Sequence, residues 1–177
     1  MIRVAVLDRH PAVRAGLHAM LRAQRGIVPV GTAAGAYPLV YETDPDVLIV
    51  DDLTPVRGVK IDAPRVRVVL YAAEVTPELV LAAAVAGADG VVDKGEDTSV
   101  LVAALRAVAA GERVLPEVGP VQRTRAARRL DSRDRPIFAM RLAGTAPRDI
   151  AAVVGVGVAA LNARIAAIVG QLVPATA

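Results

Sequence analysis

Five short apolar runs, each separated from the next by a segment of different periodicity, constrain this chain more than any other feature. Val4 to Leu7 contains no polar residue before Asp8, and beyond Pro11 the residues Val13, Leu17, Met20 and Leu21 recur at helical spacing. The alternation repeats as Val28 to Ala33 with a short helix near Ala36 to Thr43, then Val47 to Asp51, then Val66 to Ala72 with Thr76 to Ala86, then Gly90 to Asp93 with Ser99 to Ala110. Strands without polar alternation, each bounded by a helix, predict a doubly wound α/β domain: a five-stranded parallel sheet covered on both faces. Function in such a sheet belongs in the crevice beyond the carboxyl ends of the strands, and Asp8, Asp51 and Lys94 all fall there. Only 14 residues, Asp52 to Arg65, join the third strand to the fourth. That length predicts a shortened or missing third helix.

From Gly111 to Arg129 the pattern gives way to Gly, Pro and Arg, including Gly119-Pro120 and the arginines 123, 125, 128 and 129. Three helical patterns follow: Ser132 to Ala143 with Ser132 at the N-cap, Pro147 to Val154 with Pro147 in the first turn, and Val158 to Leu172. Two short helices across a tight Gly-containing turn predict a small all-α helix-turn-helix domain. The expected division is therefore residues 1–113, a linker over 114–129, and a helical domain over 130–177. Charge divides in a similar way. Residues 1–117 hold 12 Lys/Arg against 15 Asp/Glu, and residues 118–177 hold 9 against 3. A basic module of that size points to nucleic acid or another acidic surface.

Several function classes are excluded by composition. The chain has no cysteine and two histidines, His10 and His18, so disulfides, thiolate metal sites and a histidine cage fall away. Aromatics are 2%, too few for a base-stacking surface. Arg3, Asp8 and Arg9 interrupt the apolar start before a signal-peptide core can form. The apolar stretch from Ile150 onward would place Asn162 and Arg164 near the centre of a span, which argues against a membrane anchor and for a cytoplasmic location. No nucleophile–base pair and no phosphate-cradling glycine loop is visible, so an enzyme is not expected.

Particular residues carry a resemblance. Leu7-Asp8-Arg9-His10-Pro11, the run Pro45 to Asp51 with Pro55, and Ala86-Gly87-Ala88-Asp89-Gly90 leading to Lys94 resemble a response-regulator receiver domain. Leu130 to Arg135, Ala143-Gly144, Arg148-Asp149-Ile150-Ala151 and the spaced Leu161, Ile165, Ile168 and Leu172 resemble the helix-turn-helix domain of the NarL/LuxR family. The resemblance implies a flavodoxin-like sheet, Asp51 as the nominal phosphoacceptor for a histidine kinase, and a pocket formed by Asp8, Arg9, Asp52, Tyr71 and Lys94. It also implies double-stranded DNA as a partner, with homodimerisation. Many family members add a fourth helix for dimer contacts, whereas here Leu172 is followed by Val173 to Ala177. The dimer is accordingly expected through the receiver domain.

Two positions depart from the family pattern. A metal-binding carboxylate is replaced by Arg9, and a small hydroxyl residue by Tyr71. Asp8 and Asp51, which would otherwise be the metal ligands, are balanced in charge by Lys94 and Arg9. A neutral pocket has little electrostatic hold on magnesium, which also prefers six oxygen ligands. A phosphorylation-independent or weakly phosphorylatable, atypical receiver is the expectation, with a structural ion-pair cluster as the competing reading of these residues. On the DNA side, the inward face of the last helix leaves Asn162 and Arg164 to meet bases, with Arg148 and either Arg133 and Arg135 or the linker arginines on phosphates, a solvated charge run being the competing reading of the linker arginines. Its remaining outward positions are mostly alanine, so the alternative is a protein-interaction module that no longer reads DNA.

Overall fold

In the computed structural model, which describes residues 1–34 and 38–173, the apolar runs form β1 (Ile2–Leu7), β2 (Ile27–Ala33), β3 (Val47–Val50), β4 (Arg67–Ala72) and β5 (Gly90–Asp93). All pairings are parallel, in the order β2-β1-β3-β4-β5. The chain thus steps to one side of β1 and then to the other, and this reversal opens a crevice at the carboxyl ends of β1 and β3. Between strands lie α1 (Pro11–Arg22), α2 (Pro38–Thr43), α3 (Thr54–Asp62) and α4 (Pro77–Ala86), with α5 (Thr98–Ala109) after β5. The third helix is present but short, at nine residues. The expected start of α2 at Ala36 lies outside the described residues, as does the stretch 174–177.

The chain separates into two compact units, one of Met1–Val75 with Ala88–Leu115, the other of Thr76–Gly87 with Pro116–Ala177. In the first, Val4, Val6, Val47, Ile49, Val69 and Val92 of the strands form one core with Leu17 and Leu21 of α1 and Leu101, Leu105 and Val108 of α5. α2 lies close to β2 because Gly31 has no side chain there; a Cβ would meet Leu39 Cδ1 at 2.6 Å. α3 is held by an ionic anchor. Lys60 reaches from it to the carbonyl of Val66 and to Asp89, a residue 7% exposed that also accepts hydrogen bonds from the Val68 amide and the Arg67 guanidinium.

The second unit consists of α4 with α6 (Pro120–Arg129), α7 (Arg135–Leu142), α8 (Pro147–Val154) and α9 (Val158–Leu172). Residues 76–87 therefore belong to the unit of the C-terminal helices. α4 starts where Thr76 Oγ1 accepts from the Leu79 amide and ends at left-handed Gly87. Every residue from Val80 to Ala86 is buried, and α4 packs against α6, α7 and α9. A helix apolar on all sides requires cover on all sides. Arg141, itself 7% exposed, fastens α7 to α4 by donating from Nε to the Val85 carbonyl at 2.9 Å and from Nη1 to the Thr145 carbonyl at 2.9 Å. The segment expected as a linker includes α6, and α7 begins after Asp134 in place of the expected cap at Ser132. Asp131 instead folds its carboxylate onto the Arg133 amide at 2.8 Å.

Candidate functional site

At the crevice in the first unit, chain direction alone brings the acidic residues together. Asp8 follows β1, Asp51 follows β3, and the Asp51 amide donates to the Leu7 carbonyl at 3.1 Å, which extends the ladder by one step. Lys94 follows β5, its amide bonded to the Ala72 carbonyl at 2.7 Å. Its ammonium donates to Asp8 Oδ2 at 2.6 Å and lies 5.6 Å from the Tyr71 ring centroid. The other Asp8 oxygen accepts from the His10 amide at 2.8 Å and lies 3.0 Å from His10 Nδ1. Asp51 Oδ2 accepts from the Arg9 amide at 3.0 Å, with Arg9 Nε 3.5 Å away. Asp8, Arg9, Asp51, Tyr71 and Lys94 thus form one cluster. Asp52 stands apart from it: its Oδ1 accepts from the Thr54 amide at 2.6 Å and turns the chain into α3.

Burial works against the charged form of Asp8, but hydrogen bonds from Lys94 and His10 outweigh it and hold the carboxyl below the usual aspartate value of 3.8. Burial, then the negative charges of Asp93 and Asp8, push the Tyr71 phenol above its usual 10.0. A depressed folded pKa means Asp8 stabilises the fold above the unfolded value, and that contribution is lost as the pH falls through the folded one. Urea midpoints of the wild type are therefore expected to drop through this acid window. The Asp8→Asn variant should be less stable at pH 7 and show a shallower acid decline; equal slopes for the two proteins would refute the role of Asp8.

Magnesium fits this donor set poorly. Of the ligand-bearing atoms here, those of Asp8, His10 and Asp51 lie within 4.8 Å of one another. Both Asp8 oxygens are engaged, Arg9 covers Asp51, and the third member is an imidazole where magnesium prefers oxygen. Each pocket carboxylate has a cation beside it, Lys94 on Asp8 and Arg9 on Asp51. Sequence reasoning missed two parts of this cluster: His10 as a ligand to Asp8, and Arg14, whose Nη1 donates to the Asp8 carbonyl at 2.6 Å. The two-residue spacing from Asp8 to His10 is a common carboxylate-to-amide turn and was the available signal.

In the second unit, α8 ends at Gly155 with φ 69° and α9 departs at a bend of 103°. That angle is in the helix-turn-helix range. Leu161, Ile165, Ile168 and Leu172 are the buried residues of α9, as their spacing requires. Ala159, Ala160, Ala163 and Ala167 are exposed, while Asn162 and Arg164 are half-buried. Arg164 is held by Asp134, through Nε at 2.8 Å and Nη2 at 2.6 Å. Arg135 uses Nε on the carbonyls of Ala127 and Leu130, at the end of α6. Arg133 and Arg148 are exposed. Among the described residues no single helix is long and apolar enough to cross a membrane; α8 and α9 pass a length-and-composition test only as a pair broken by that bend.

No protein-family model matches the chain. It is 29% identical over 125 residues to NarP, a nitrate/nitrite response regulator protein of Escherichia coli (strain K12), a match covering 65% of this chain and 58% of NarP. It is 30% identical over 141 residues to the response regulator protein VraR of Staphylococcus epidermidis, covering 73% of this chain and 68% of VraR. The chain thus spans from a little over half to about two thirds of the relatives it matches. Among solved structures, a two-component response regulator of the LuxR family from Aurantimonas sp. SI85-9A1 superposes with TM-score 0.62 at 28% identity, over 70% of this chain and 94% of that one. RcsB from Salmonella enterica serovar Typhimurium, solved on promoter DNA, matches 97% of this chain and 91% of its own with TM-score 0.61; at 20% identity the likeness concerns fold.

Proposed function

Because the chain belongs to the NarL/LuxR family of response regulators, we propose that it is a DNA-binding transcriptional regulator whose receiver unit is held in one state by ion pairs in place of phosphorylation. The observation that carries the second half is the pairing of both pocket carboxylates with cations, Asp8 with Lys94 and Asp51 with Arg9. Phosphoryl transfer to Asp51 would have to displace Arg9 and proceed without a well-made cation site, so Asp51 is a phosphoacceptor in position only. A second copy of the chain, meeting it through the receiver unit, is the protein partner this reading supplies; a histidine kinase becomes a partner only if Asp51 accepts a phosphoryl group.

On the DNA side, the exposed Arg133 and Arg148 take phosphates, while Asn162 and Arg164 are the α9 side chains able to reach base edges. Arg164 does so only by leaving Asp134 or by contacting bases from within that pair. Its engagement, with the alanine-lined outer side of α9, favours a second reading in which the helical unit contacts another protein. A mobility-shift titration of the full chain on genomic fragments separates the two. The expected result is a salt-sensitive shift unchanged by acetyl phosphate with Mg2+. A shift that tightens several-fold with acetyl phosphate removes the claim of ion-pair control, and no shift at low salt removes DNA binding itself.

A further inference from the structure

The sequence offers the helix-turn-helix and the arginines before it for holding DNA, and within the helix-turn-helix one expected base-reading cation is already ion-paired inside the protein. Arg164 is paired with Asp134, and the exposed Arg135 turns its Nε to the carbonyls at the end of α6. The cations left over concentrate on α6. Pro120–Arg129 reads PVQRTRAARR, with four arginines and no acidic residue. Ala126 and Leu130 are buried, and Arg129 donates to the Gln171 carbonyl at 3.0 Å in the last turn of α9. Through these contacts and its packing on α4, α6 is a fixed element of the helical unit. Arg123, Arg125 and Arg128 are exposed and have no hydrogen-bond or ion-pair partner among the described residues. Arg125 and Arg128 rise from one face, beside Val121 and Thr124, along a shallow surface groove.

We infer that α6 is a phosphate-backbone contact, a second DNA-binding surface beside the helix-turn-helix, rigid and indifferent to base sequence. The inference rests on the DNA-binding reading above and extends it to where the affinity comes from. Three features select a nucleic-acid backbone among anionic partners. All nine cationic residues after position 117 are arginine, whose planar fork bonds phosphate oxygens in pairs. Arg125 and Arg128 are i and i+3 on a helix, which sets two forks side by side at about 5 Å and suits a strand of repeating charges. The outward face of α6 offers Val121 as its exposed apolar residue, too little for a lipid surface or the apolar core of a protein interface. With alanine on the outer side of α9, such a surface accounts for binding that is strong in charge and weak in sequence preference.

The test is fluorescence anisotropy of the full chain on a labelled duplex across a salt series. Three variants are compared: Arg125→Ala/Arg128→Ala, Arg125→Lys/Arg128→Lys, and Arg133→Ala/Arg148→Ala. Each phosphate contact contributes about 0.9 to the slope of log K against log salt. The first variant is expected to lower that slope by about 2 and to weaken binding to every duplex alike, by tenfold or more at low salt; the lysine variant should keep most of the slope. A slope for Arg125→Ala/Arg128→Ala equal to wild type, with wild type bound, overturns the α6 surface and leaves DNA binding by the helix-turn-helix standing. Absence of duplex binding by the wild type defeats the functional reading instead. Displacement of duplex by polyglutamate at equal charge concentration, with loss of polyglutamate binding in Arg125→Ala/Arg128→Ala, would reassign α6 to an acidic protein and also overturn the inference.

Discussion

Replacing Asp89 with alanine is expected to destabilise the sheet-bearing unit by roughly 3–5 kcal/mol, the cost of removing one partner from a buried ion pair. The carboxylate is 7% exposed and serves three donors: the Val68 amide at 2.8 Å, the Lys60 ammonium at 2.5 Å and the Arg67 guanidinium at 3.1 Å. The Lys60 side chain is 16% exposed and Arg67 42%, so the loss falls mainly on the Val68 amide and on Lys60, the Arg67 pair being largely solvent-screened. Lys60 also ties α3 to the segment before β4, and α3 buries only Val56 and Val59. A helix with so small an apolar face depends on that anchor. Asp89→Asn keeps an acceptor for the Val68 amide and should cost roughly half as much. Urea unfolding followed by circular dichroism measures both; a loss below about 1 kcal/mol for Asp89→Ala would show the network to be dispensable.

The same network marks the limit of what could be read from the residues alone. The strands were legible because each has an apolar stretch without polar alternation, and β3, VLIV, is buried at every position. The inward face of α9 was legible because four apolar residues recur at spacings of four, three and four. The short third helix followed from loop length, but the ion pair that keeps it in place joins residues 29 apart, and nothing local to Lys60 announces Asp89. α4 was legible as a helix, from Thr76 to Ala86, but its packing partners were not. A helix buried from Val80 to Ala86 has no polar side, so periodicity says that it is covered without saying by what. Its grouping with the C-terminal helices depends on contacts, such as Arg141 to the Val85 carbonyl, that cross 56 residues.

In the candidate sites, order along the chain was enough to bring Asp8, Asp51 and Lys94 into one crevice, because parallel strands deliver their carboxyl ends to the same edge. The use made of each side chain was less accessible. Asp52 is adjacent to Asp51 yet caps the turn into α3, since successive residues past a strand end point in different directions. Arg135 and Arg164 have the residue type that DNA contact needs, but a type does not disclose a competing partner. Backbone carbonyls satisfy the first, and Asp134, 30 positions away, holds the second.

Changing Arg9 to aspartate is expected to produce the largest functional change available from one substitution, by giving the pocket a third carboxylate beside Asp8 and Asp51. In the wild type two carboxylates face two cations; after the change three carboxylates face Lys94. A unit charge about 4 Å from a bound ion contributes roughly 1–4 kcal/mol, depending on local screening, and this substitution both removes an adverse charge and adds a favourable one. Even at the lower end of that range for each of the two changes, Mg2+ affinity should rise by at least about 30-fold. The fold should tolerate it. Arg9 has a side chain 72% exposed, so its pair with Asp51 sets the charge of the pocket but adds little to the stability of the fold, and the backbone amide that donates to Asp51 is retained in aspartate. With the guanidinium gone, the Asp51 carboxylate can attack the phosphorus of acetyl phosphate as acetate departs. Intact-mass measurement should then record one added phosphoryl group on Arg9→Asp in the presence of Mg2+. The addition should be absent after chelation and in Arg9→Asp/Asp51→Ala, with the wild type unmodified under the same conditions. Wild-type protein labelled as fast and as fully as Arg9→Asp would show that charge balance at Arg9 does not govern this pocket, and ion-pair control of the receiver unit would have to be given up.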